Sequence, residues 1–394
     1  MLRILAVVVF ASGLVALGAH GAFADASSAA ADVKAAHAAF ARGDDDNAIR
    51  LFTRALAEPE LTGAQRGVAY MDRGLAFERQ KNYAAMIADM EQAVALRPHD
   101  QAAFAGLGLG YRRTGELQRA IDAYTRGLAA AGDVPLLLDG RGVAYHLAGD
   151  DVRARADFER ALAIDPVYRS AYRNLGSLEV QEQHNLAALD DFNRLVPLEP
   201  NRADAYILRG GVFSLMNRLD AALLDLDRAI ALEPSSEPAY HVRGIVRFRV
   251  AQFGGAAADF ATAAKLQPAR PENELWAYVS RLRGDTADPA RLRAAAARFD
   301  RTVWPGPLFG LLLGEQSYAE VRDRATAGVP AVVANDRWCE AGFYGAQLAL
   351  SRGDMETARS LARDALGACF PNEAEHGAAH AELRRLAAMG LNRQ

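Results

Sequence analysis

Residues 203–236 read ADAYILRGGVFSLMNRLDAALLDLDRAIALEPSS. Tyr206 stands four residues before Gly210, and Ala222, Leu226 and Ala229 stand 12, 16 and 19 after it. Pro234 closes the stretch, 24 residues after that glycine. The apolar positions fall into two runs with the 3–4 spacing of amphipathic helices, so the stretch predicts a helix, a turn and a second helix. The pattern recurs every 34 residues, with Gly74, Gly108, Gly142, Gly176, Gly210 and Gly244 in strict phase. Tyr70, Phe104, Leu138, Tyr172, Tyr206 and Tyr240 precede these glycines by four. Pro98, Pro166, Pro200, Pro234 and Pro268 punctuate the units, with Gly132 in the remaining slot.

A lone helix pair cannot bury its apolar face, whereas a stack of such pairs can. Small residues let paired helices approach, and a proline ends each second helix. In spacing and residue types the units resemble the tetratricopeptide (TPR) repeat. The resemblance implies an all-α, right-handed superhelix, an α-solenoid of about seven helix pairs. The expected units are 29–62, 67–100, 101–134, 135–168, 169–202, 203–236 and 237–270, with four extra residues after the first.

After Pro268 the 34-residue phase of residue types is lost. Residues 271–337 read as an irregular helical connector: a helix from Glu272 to Gly284, another from Pro289 to Asp300, and the rigid Trp304-Pro305-Gly306-Pro307. Ser317 and Glu320 have capping-box spacing. Residues 338–394 predict one more helix–turn–helix around Gly353-Asp354, then a last helix from about Asn372 to Met389. Trp304-Pro-Gly-Pro, Cys339-Glu-Ala-Gly-Phe-Tyr344, Gly353-Asp354, and Glu375 through Glu382-Leu383 resemble the C-terminal region of the NlpI family of bacterial envelope TPR lipoproteins. That resemblance implies a non-enzymatic adaptor that docks envelope proteases or cell-wall hydrolases.

The N-terminus reads as a targeting segment. Arg3 precedes an apolar run from Ile4 to Ala19, and Ala22-Phe23-Ala24 before Asp25 forms a small-x-small cleavage site. The run is shorter than the roughly 20 residues of a membrane span, so cleavage after Ala24 is expected, leaving a periplasmic protein without a membrane anchor. No cysteine follows the run, so a lipid-anchor acceptor is missing. The 394-residue chain carries 45 Lys+Arg against 49 Asp+Glu, a formal charge of -4, which gives no global field for nucleic acid. Only Lys34, Lys81 and Lys265 are lysines. The expected partners are proteins or peptides of the cell envelope. The alternative is a structural assembly or secretion-apparatus subunit held by one permanent partner.

Nothing in the sequence points to catalysis or a cofactor. His376 and His380 lie i,i+4 near Glu373, Glu375 and Glu382, but Gly377 stands where a zincin requires Glu. The glycines from Gly106 to Gly110 follow no predicted strand and read as packing residues, not a phosphate loop. The first-helix positions that line the concave side of a TPR stack hold Arg79, Arg112, Arg113, His146, Arg173, His241, Phe248 and Arg249, with apolar residues such as Val68, Met71, Leu75, Leu109, Val143, Ile207 and Ile245. They predict a half-apolar, mildly basic groove for an extended peptide bearing an acidic group. Cys339 and Cys369 are equidistant from the turn at 354, so antiparallel helices bring them together at the open end of the hairpin. A disulfide is expected in an oxidising compartment, with two buried thiols as the alternative.

Overall fold

The computed structural model describes residues 28–391, and the targeting segment lies outside them. The described residues form 21 helices and no strand. The array begins with α1 (Ser28–Ala41), α2 (Asp45–Ala57), α3 (Gly63–Arg79), α4 (Tyr83–Leu96), α5 (Gln101–Arg113), α6 (Leu117–Ala131), α7 (Pro135–Leu147) and α8 (Asp151–Ile164). It continues through α9 (Arg169–Gln181), α10 (Asn185–Leu198), α11 (Ala203–Leu215), α12 (Leu219–Leu232), α13 (Glu237–Arg249), α14 (Phe253–Leu266) and α15 (Pro271–Arg283). Short helices α16 (Pro289–Ala296), α17 (Gly306–Leu312) and α18 (Tyr318–Thr326) precede a hairpin of α19 (Ala331–Ser351) and α20 (Met355–Ala368), and α21 (Ala374–Leu391) ends the chain. The described residues divide into two compact units, 28–178 and 179–391.

Each unit is built by the same local device. The phased glycine of the first helix sits under the side chain 16 residues later on the second. A Cβ at Gly108 would lie 2.5 Å from Tyr124, and one at Gly142 would lie 2.6 Å from Phe158. Both rings are buried, so the glycine is the space a large second-helix side chain occupies. This corrects the simpler expectation that the aromatic four residues before the glycine fills the gap.

A second phased device escaped sequence reasoning. Arg73, Arg141, Arg209 and Arg243, each just before a phased glycine, make bidentate pairs with Asp89, Asp157, Asp225 and Asp259, 16 residues on. The remaining Nη1 of each reaches back to the preceding unit's second helix, at Thr53, Thr125, Asn193 and Asp227. A planar guanidinium thus ties one helix pair internally and to its predecessor.

The turn between paired helices is also phased. Lys81, Gly115, Gly149, Gln183, Asn217, Ala251 and Asp285 all take positive φ, between 54° and 81°. Asp285 extends this phase beyond Pro268, and α15 starts 34 residues after α13. The repeat geometry therefore runs one helix further than the repeat of residue types. Tyr278 holds the slot of the phased glycine there, which is why the sequence phase vanishes.

In the connector, the Ser317–Glu320 capping box forms as expected. The helix expected from Trp338 instead begins at Ala331, directly after Pro330, whose ring favours a helix start. Phe248, Phe260, Trp276, Phe343 and Tyr344 pack in one aromatic core, with Trp276 stacked on Phe260 at 5.4 Å and tilted on Phe343 at 4.8 Å. That core joins α13, α14, α15 and α19.

Candidate functional site

In the N-terminal unit the concave positions separate by chemistry. Val68, Met71, Leu75, Leu109 and Val143 are buried. They pack between helices and leave the groove more polar than the sequence predicts. Arg79 and Arg113, 34 residues apart, are exposed. Arg79 donates to the Phe40 carbonyl at 2.8 Å, pairs with Asp45 at 3.2 Å and lies over the Phe40 ring. Arg113 stands 3.6 Å from Glu78, and His146 bonds Asp151 at 2.6 Å.

Arg112 and Arg173 are half-buried near the buried carboxyl of Asp139. Burial pushes the Asp139 carboxyl up to about 6, against the Asn174 amide, which donates to it at 2.8 Å, and against the two guanidinium charges. This set from three consecutive repeats puts a titrating acid beside two arginines on one face.

In the C-terminal unit the expected groove is largely filled by the protein itself. His241 is 3 % exposed and Phe248 is 0 % exposed, so neither offers a surface to a ligand. His241 bonds Asn273 at 2.7 Å, and burial followed by the Arg270 charge pushes its imidazole down to about 3. Phe248 belongs to the aromatic core. Ile207 and Ile245 are also buried. The cause is α21, which lies against α13. Arg385 donates to the Phe248 and Arg249 carbonyls at 2.8 Å, capping the end of α13. Glu382, buried, pairs with Arg283 at 3.2 Å and with Arg385 at 2.6 Å. The Trp276 indole donates to Glu375 at 3.2 Å.

A polar pocket of about 300 Å³ remains beside α21. Its wall includes Asn185, Asn217, Arg249, Asn372, His376 and Arg384. Arg249 is the one residue expected in the groove that the structure brings here. Its Nη1 donates to the Ser214 carbonyl and hydroxyl at 2.8 Å, and its Nη2 to Asn217 at 3.1 Å. A Cβ on Gly377 would lie 3.0 Å from the Arg249 guanidinium, so glycine lets α21 approach it. Sequence reasoning missed Asn217, Asn372 and Arg384, which come from segments with no shared period.

Cys339 and Cys369 form a disulfide with Cα atoms 4.7 Å apart, closing the α19–α20 hairpin as expected. Two groups among the described residues could bring three metal-ligand atoms together: Cys339, Cys369 and Glu373, and Glu179, Glu182 and His184. The first is committed to the disulfide. His376 and His380 stack edge to face at 4.8 Å and belong to neither group.

Tetratricopeptide-repeat family models match residues 68–100 and 103–138. A crystal structure of a TPR protein from Parabacteroides merdae is similar at 17% identity, with a TM-score of 0.51, covering 64% of this chain and 98% of that one. A structure of Pseudomonas aeruginosa pilF is similar at 16% identity, with a TM-score of 0.48, covering 54% and 96%. A heat-shock cognate co-chaperone, sgt12 of Aspergillus fumigatus, is 39% identical over 61 residues, which are 16% of this chain. The match spans 18% of the co-chaperone's length. The fold is a TPR-type α-solenoid.

Proposed function

We propose that the protein is a non-catalytic interaction scaffold of the cell envelope, exported to the periplasm, which binds extended acidic segments of other envelope proteins on the concave side of its N-terminal repeats. The observation that carries this reading is the basic concave row, with Arg79 and Arg113 exposed one repeat apart and Arg112, His146 and Arg173 half-buried beside them. A guanidinium has five N–H donors in a fixed fork, so arginines already paired within the protein keep donors for a ligand carboxylate or carbonyl. The TPR matches at 68–100 and 103–138 fall on the repeats that carry Arg79, Arg112 and Arg113. The leader at 1–24 supports export, and the C-terminal resemblance to the NlpI family supports proteases or cell-wall hydrolases as partners.

The test is affinity capture from a native envelope extract with the parent protein and an Arg79→Glu/Arg113→Glu variant. Exposed charges contribute little to folding, so the variant should keep its helicity and melting temperature while losing the captured partners. Unchanged capture would move the docking face elsewhere. Recovery of the tagged full-length chain from the cytoplasmic instead of the periplasmic fraction would end the envelope assignment.

A further inference from the structure

The pocket beside α21 concentrates positive charge without a matching carboxylate. Arg249 and Arg384 share one neutral acceptor, the Asn217 side-chain oxygen, at 3.1 and 3.5 Å. The other bonds of Arg249 go to the neutral Ser214 carbonyl and hydroxyl, and its buried Nε has no partner. His376 and His380 add two imidazoles from one face of α21. Like charges held this close disfavour one another. The Arg249 guanidinium is pushed down to about 10 by burial and by Arg384, and the His376 imidazole is pushed down by burial, His380 and Arg249. Glu373 also lines the pocket. Burial, a hydrogen bond with Asp336 and the Glu375 charge push its carboxyl up to about 8, so at neutral pH it mostly keeps its proton and is not the missing counter-ion.

Independent of charge, the wall holds unused hydrogen-bonding groups. Asn372 is 6 % exposed and its side-chain oxygen has no partner. The buried side-chain oxygen of Asn185, on the opposite wall, has none either. Buried polar atoms left this way are costly, and a polar occupant relieves the cost.

We propose that this pocket is a binding site for a phosphate-class oxyanion, either inorganic phosphate or the phosphate monoester of a small ligand. Two guanidinium charges match a phosphate dianion better than a single-charge carboxylate, which one bidentate arginine satisfies. The donors approach from α13 and α21, as a tetrahedral group requires and a planar one does not. The asparagine oxygens suit a phosphate in its singly protonated form, whose P–OH needs an acceptor. The volume of about 300 Å³ exceeds what a bare phosphate fills, which leaves room for the organic part of an ester.

Isothermal titration of the full chain in phosphate-free buffer tests the site, with inorganic phosphate, glycerol phosphate and acetate as titrants. The expected result is saturable one-to-one binding of phosphate, with acetate much weaker. Tighter binding of glycerol phosphate identifies an ester ligand, and tighter or equal binding of inorganic phosphate identifies the free ion. Arg384 is exposed and makes one long hydrogen bond, so Arg384→Gln should fold normally by circular dichroism. It should nonetheless weaken phosphate by about tenfold, the loss of one charge-assisted contact. His376→Gln should weaken it as well. The proposal fails if neither phosphate compound saturates, if acetate binds as tightly, or if both variants bind phosphate like the parent.

Discussion

Gly142 shows how little space a single position leaves in this fold. An added Cβ would stand 2.6 Å from the Phe158 ring and 3.1 Å from the Ala154 carbonyl, so the ring or the helix must shift. Gly142→Ala should therefore destabilise by about 1–3 kcal/mol despite the better helix propensity of alanine. A urea midpoint equal to the parent's would refute the close approach. Asp139 gives a residue-scale prediction in pH. Its folded carboxyl titrates at about 6, above the usual 3.8. The folded state holds the proton more tightly, so the stabilising contribution is complete below the unfolded value and is lost as pH rises through about 6. At neutral pH the buried carboxylate costs on the order of 3 kcal/mol. Asp139→Asn removes the titration and keeps an oxygen for Asn174 to donate to. Relative to the parent, the variant should gain stability between pH 4 and 7, by about the linkage amount. A pH-independent difference would contradict the assignment.

At the scale of elements, the hairpin of α19 and α20 depends on more than helix packing. The Cys339–Cys369 bridge spans 30 residues and joins its open end. Closing a loop of that length constrains the unfolded chain by about 3–4 kcal/mol in the chain-entropy description. Replacing both cysteines with serine should lower the melting temperature of the C-terminal unit and weaken hydrogen-exchange protection in α20 first. Thiol titration of the unfolded, unreduced protein should find no free thiol. Two titrating thiols would show that the bridge does not form in the protein as isolated. The hairpin also positions α21, since Phe370 donates its backbone N–H to Glu373 at 3.1 Å directly after the bridge. The bridge therefore stands next to the pocket wall in sequence and in space.

For the whole molecule, the distribution of tryptophan offers a direct readout. Trp276, Trp304 and Trp338 all lie in the unit 179–391, and 28–178 has none. Tryptophan emission therefore reports one unit, whereas far-ultraviolet circular dichroism reports both. Reduction of the disulfide should move the emission-detected urea transition to lower urea by more than it moves the dichroism-detected one. Coincident transitions before and after reduction would mean that the chain unfolds as one cooperative body.

The sequence by itself determined the repeat, its seven units, the helix pairs and the pairing of the two cysteines. Those features rest on spacings of 34 residues or fewer, and in a solenoid each unit touches only its neighbours, so local pattern and tertiary contact coincide. The arginine–aspartate pairs at a spacing of 16 were written in the same phase and were legible in principle. Tertiary structure alone decided the fate of the last units. Glu375 and Glu382 on α21 meet Trp276 and Arg283 across 99 residues, and Arg385 caps α13 across 137. No period links such distant positions. Those contacts bury His241 and Phe248, turn Arg249 from an open groove residue into part of a pocket wall, and bring Asn372 and Arg384 to the same cavity. A helical face read from spacing shows which residues point the same way. Whether water, a ligand or the chain's own last helix covers that face depends on where the chain returns, and that is set by the packing of the non-repeating C-terminal core.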